Sequence, residues 1–209
     1  MEKRTYGFEL RAADGDGKTV AGYAAVFNAP SLLLYGEFKE VIERGAFAKS
    51  MSRDIRAIWN HNDDIVIGRT KVNTLRLAED AYGLRFEIDM PTERRAELES
   101  IRRGDVDQMS FGFEVELDSW QRDADGVMVR TLHQVTLHEV SPVTFPAYPQ
   151  TSISMRGDAL GDKPTIPAHL TQGANGDDAE RAQGRLAVRR RRLALMELGI
   201  INGGNDEQA

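Results

Sequence analysis

The chain has 209 residues, 41% hydrophobic and 29% charged, which suits one ordinary globular domain with an appendage and leaves enough apolar side chains for a sizeable core. It contains no cysteine, which excludes disulfides, a thiol nucleophile and a thiolate metal site, so a nucleophile must be an oxygen and a metal ligand a histidine or carboxylate. A formal net charge of -6 speaks against coating nucleic acid with the whole chain; without an apolar run of signal-peptide or bilayer length, a soluble cytoplasmic protein with no membrane partner is expected.

Residues 5–13 and 19–27 read as strands around Asp14-Gly15-Asp16-Gly17, whose residues tolerate positive φ, so the chain is predicted to open with a hairpin. Glu37 to Ile42 reads as a short strand, and apolar Phe47, Ala48 and Met51 fit one or two helical turns. Asp54 to His61 returns to strand character, with Ile55, Ala57, Trp59 and His61 on one face. Three more strands are expected at Ile65–Gly68, Lys71–Ala78 and Gly83–Met90. Pro91 stops the sheet, and Thr92 is placed to cap a helix running through Arg94, Leu98 and Ile101 to Gly104, which suits the left-handed residue at its end.

The next stretch carries the chemistry. From Met109 to Val115 apolar residues alternate with Ser110, Gly112 and Glu114, the period of a half-buried strand; Ser110 is expected to face away from the apolar side, with open space beside Gly112. Leu117–Gln121 and Val127–Val140 flank Asp123-Ala124-Asp125-Gly126 as a second hairpin. Ser141 to Pro149 holds three prolines and is expected to be extended but outside a central strand. After residue 156 the composition changes. Residues 157–176 read as a flexible linker, and residues 177–209 as a helical tail bearing Arg181, Arg185 and the run Arg189-Arg190-Arg191-Arg192.

Serine is a weak nucleophile at neutral pH and cleaves peptides only with an imidazole in hydrogen-bond reach and a third group that orients the imidazole. Ser110, His61 and one of His138 or Glu139 supply those types. The same polar clusters, His61-Asn62-Asp63-Asp64 and His138-Glu139, also hold ligand types for a metal-dependent hydrolase, although no pair has the i, i+4 spacing of a zinc helix. A third reading is a non-enzymatic component whose strands merely build a binding module and whose arginine-rich helix docks a partner.

Six short motifs occur in order: Gly22-Tyr23-Ala24-Ala25-Val26-Phe27-Asn28, Glu43-Arg44-Gly45-Ala46-Phe47, Trp59-Asn60-His61-Asn62, Met109-Ser110-Phe111-Gly112-Phe113, His138-Glu139-Val140-Ser141-Pro142-Val143 and Phe145-Pro146-Ala147-Tyr148. Over roughly residues 6 to 155 the chain thereby resembles the tailed-phage prohead (capsid maturation) serine proteases of the HK97 type. The resemblance implies a β-rich α+β fold: a herpesvirus-protease-like β-barrel core with surrounding helices in a protease domain of residues 1–156, with the helical tail outside it. It implies Ser110 as nucleophile, His61 as base and Glu139 as orienting carboxylate, with His138 the alternative third member because the related herpesvirus enzymes use a second histidine. No cofactor or metal is implied. The implied setting is the assembling prohead in the host bacterial cytoplasm, and the implied partners are the scaffold and major capsid protein. Self-cleavage and self-association are also implied; direct nucleic-acid binding is expected only through the arginine-rich tail.

Overall fold

Residues rich in β-branched and aromatic side chains, broken by Gly, Asp and Asn turns, form ten strands among the described residues. The computed structural model describes residues 1–6, 11–12, 18–144 and 162–171. The chain divides into two units, Met1–Gln121 with Met128–Pro164, and Arg122–Val127 with Thr165–Ala209.

The first unit holds two sheets. In the larger, β1 (Glu2–Tyr6), β9 (Gln108–Arg122), β10 (Met128–Val143), β5 (Arg56–Trp59) and β6 (Asn62–Arg69) lie in that order, and β4 (Phe38–Ile42) also pairs with β10. The smaller orders β2 (Arg11–Ala12), β3 (Thr19–Val26), β8 (Gly83–Asp89) and β7 (Leu75–Glu79). Both contribute to one apolar cluster that includes Phe47, Phe86, Phe111, Phe113, Ile42 and Leu132. Phe47 meets Phe111 edge-on at 5.5 Å between ring centres, within the range aromatic pairs prefer. The helix α1 (Arg95–Arg102) buries Leu98 and Ile101 in that cluster.

The fold is β-rich, as the sequence leads one to expect, but several elements differ. The opening hairpin forms only at its inner end: β2 pairs antiparallel with β3, whereas β1 pairs antiparallel with β9, so the first run is shared between two sheets. Polar residues delay β7, and Thr70–Val72 forms a 3-10 turn closed by Asn73 at φ 59. The residue capping α1 is Arg94, without a side-chain cap bond, and Thr92 donates to Glu93 instead; Gly104 does adopt φ 79. Pro142, expected outside a central strand, instead lies within the last residues of β10, a strand with neighbours on both sides, and its carbonyl accepts the Asn60 N–H at 3.0 Å.

An ionic network fastens β1 to the larger sheet. Arg4, with no exposed surface, grips Glu40 on β4 through Nε to Oε1 at 2.6 Å and Nη2 to Oε2 at 3.1 Å. Arg130 on β10 donates to Glu40, Glu2 and Asp118. The Arg4 guanidinium also lies 5.3 Å from the Phe113 ring centre.

In the second unit, the turn before β10 has Gly126 at φ 77, and Asp123 accepts the N–H groups of Asp125 and Val127. Arg122 donates to the carbonyl of Leu170 in the short helix α2 (Ala168–Thr171) at 2.9 Å. The expected boundary at 156, half of the linker and the arginine-rich helix lie outside the described residues.

Candidate active site

Two strands and one hairpin turn of the larger sheet deliver the side chains singled out above. Ser110 comes from β9, Glu139 from β10, and His61 from the two-residue turn between β5 and β6. Asn60 and His61 have φ 52 and 58, the positive values that a two-residue hairpin with right-handed strand twist requires. The imidazole thus stands at a hairpin tip rather than at the end of an apolar strand face.

Asn60 positions that tip. Its Oδ1 accepts the Thr144 N–H at 2.8 Å, its Nδ2 donates to Thr144 Oγ1 at 3.1 Å, and its own N–H reaches the Pro142 carbonyl. The parallel pairing of β5 with β10, Arg56 opposite Glu139 and Ala57 opposite Val140, sets both strands to end together. The other end of the hairpin is braced by Arg69, which donates to Asp54 at 2.8 and 2.5 Å and holds that carboxyl down to about 2.

His61 Nδ1 lies 2.6 Å from Glu139 Oε1. A carboxylate only accepts, so Nδ1 carries the proton and Nε2 of the neutral ring is the free acceptor. Ser141 donates its hydroxyl to the other oxygen, Oε2, at 2.6 Å, so both oxygens of this buried carboxylate are engaged. Gly112 makes room for it: a Cβ there would lie 2.6 Å from Oε1. His138 goes elsewhere. Its Nε2 is 3.4 Å from Glu114 Oε1 and has no hydrogen-bond partner among the described residues.

Ser110 is not on an open face. It is fully buried, as are Phe111 and Gly112 beside it, because β1 lies alongside and the Met1 side chain covers Gly112. Ser110 Oγ donates to the Arg4 carbonyl at 2.9 Å, and no described hydrogen bond joins it to His61. Ser110 and Gly112 project to the same side of β9, so the serine sits roughly 7 Å along the strand from the place that Glu139 Oε1 fills. Of the residues named for a metal, His61 and Glu139 meet each other, and no group of three or more His, Asp or Glu among the described residues is arranged to hold an ion.

Two features escaped the sequence reading. Ser141 could have been found from its spacing, since residues two apart on a strand share a face with Glu139. The other is a separate chain of bonds on the outer part of the β9–β10 hairpin. There Ser119 Oγ is 2.7 Å from His133 Nε2, and His133 Nδ1 is 2.5 Å from Glu43 Oε2. The pairing of β10 with β9 on one side and with β4, which Glu43 directly follows, on the other brings these three together; nothing in their sequence spacing marks them.

A histidine bonded to a carboxylate is the base that a serine hydroxyl needs for acyl transfer. No curated relative and no solved structure matches the chain. The family model described as caudovirus prohead serine protease matches residues 7–162, a span that contains Ser110, His61, Glu139, His138 and Ser141. The chain belongs to the caudovirus prohead serine protease family.

Proposed function

We propose that this member of the family is an endopeptidase acting in capsid maturation, with Ser110 as nucleophile, His61 as general base and Glu139 as the orienting carboxylate. In this reading Ser110 Oγ attacks the scissile carbonyl while His61 Nε2 takes its proton, and the imidazolium formed is stabilised by Glu139. His61 then gives the proton to the departing amine, and water repeats the sequence in reverse to free the acylated serine. The observation that carries the reading is the 2.6 Å contact from His61 Nδ1 to Glu139 Oε1, which leaves Nε2 as the basic nitrogen.

The substrates would be the scaffold, or the scaffolding segment of the major capsid protein, and the enzyme itself, inside the assembling prohead in the host cytoplasm. A core like that of the herpesvirus maturation protease and a tail that carries the enzyme into the shell belong to the same proposal.

One observation favours a second reading of the nucleophile: Ser119, His133 and Glu43 are bonded end to end, whereas Ser110 is not bonded to His61. Intact-mass analysis of the co-expressed capsid protein separates the two. Ser110→Ala is expected to abolish its cleavage and Ser119→Ala to leave it unchanged. The reverse result moves the nucleophile to Ser119, and cleavage surviving both substitutions removes the serine mechanism.

A further inference from the structure

We infer that Ser141 is a positioning residue that sets the plane of the Glu139 carboxylate toward His61; this rests on the catalytic assignment just proposed. The last torsion of a glutamate side chain is broad and nearly two-fold, so a single hydrogen bond fixes one oxygen but leaves the group free to tilt or exchange its oxygens. Here the two oxygens are held by different partners: Oε1 by His61 Nδ1 at 2.6 Å and Oε2 by the Ser141 hydroxyl at 2.6 Å. Two anchors define a plane. Gly112 closes the remaining direction, since its backbone lies directly under Oε1 with no Cβ between.

The chemistry of Ser141 leaves it one role in this contact. A carboxylate cannot donate, so the hydroxyl must, and the bond described for Ser141 Oγ is the one to Glu139. Ser141 is fully buried, with no water-facing surface from which a substitute donor could come. It also lies between Glu139 and Pro142, whose carbonyl takes the Asn60 N–H, so the segment that orients the carboxylate is tied to the turn that presents the imidazole. A carboxylate with Oε2 already occupied offers the imidazolium only Oε1, in one orientation, at the moment Ser110 attacks.

The test uses the full-length chain and a fluorogenic peptide copied from a bond that the wild-type protein cuts. Ser141→Ala removes a single oxygen and is expected to lower kcat roughly 10- to 100-fold, the worth of one hydrogen bond to a charged group, with KM unchanged. Ser141→Thr keeps the hydroxyl and should recover most of that loss. In a Glu139→Gln background Ser141→Ala should cost no more than about two-fold, because a residue acting through another has nothing left to act on. An unchanged kcat in Ser141→Ala, an equal loss in both backgrounds, or a loss confined to KM overturns the inference. Failure of the catalytic reading looks different: Glu139→Gln itself would then cleave at the wild-type rate.

Discussion

Consecutive residues His138 and Glu139 have separate fates, and that decides what each substitution should do. Glu139→Gln keeps the shape but replaces the acceptor of the Nδ1 proton with an amide that can hold the wrong tautomer, so kcat should fall by about 10³–10⁴. His138→Ala removes a side chain that meets Glu114 and not His61, so single-turnover cleavage should stay within about three-fold of wild type. Equal losses in the two would contradict the assignment. Gly112→Ala is the sharper probe. Its new methyl would collide with Oε1, and since both carboxylate oxygens are tied, the group cannot step aside without breaking a bond. A loss of kcat is expected together with a lowered melting temperature, because the displaced carboxylate gives up a buried hydrogen bond; full activity would show that the carboxylate has room to move. Short motifs singled out Ser110, His61 and Glu139, and the structure brings His61 and Glu139 into contact. Their surroundings were not legible, because alternation along one strand says which side a residue takes but not whether a neighbouring strand covers that side. Ser110 is such a case, buried by a strand more than a hundred residues away in sequence.

At the scale of elements, the hairpin tip and the first strand each carry a prediction. Asn60 combines a positive φ with three hydrogen bonds to Pro142 at the end of β10 and to Thr144 just after it, so Asn60→Ala should displace His61 and cost activity more than stability. Asn60→Gly, which keeps the backbone freedom but not the clasp, measures the two contributions separately. The base of the hairpin responds to acid. Arg69 depresses the Asp54 carboxyl to about 2, below its unfolded value near 3.9, so this brace is intact above about pH 4 and is lost as pH falls toward 2. Amide exchange of β5 and β6 followed down the pH scale should show that loosening. In β1, Arg4→Ala leaves a buried ionic network short of one cation and should lower stability by about 3–5 kcal/mol, read from chemical denaturation. Lysine should not rescue it, because Arg4 reaches both oxygens of Glu40 and a single ammonium cannot. Most strands were legible from apolar alternation and turn residues. What periodicity could not reveal was partner choice: β1 and β2 come from one apparent run yet join different sheets.

For the molecule as a whole, the hydrogen bond from Ser110 to the Arg4 carbonyl has a kinetic meaning. A hydroxyl with no exposed surface, held by the neighbouring strand, can meet a reagent or a substrate only after that strand or its cover moves. Covalent labelling of Ser110 by a fluorophosphonate should therefore saturate as reagent is raised, at a ceiling equal to the opening rate. Exchange of the β1 amides, measured on the same sample, should give the same rate constant. Labelling that stays proportional to reagent at every concentration would mean that Ser110 is reached without opening. With a ceiling, the enzyme carries its own clock: the interval between folding and the first cut is set by how long one strand stays in place, however much substrate surrounds it.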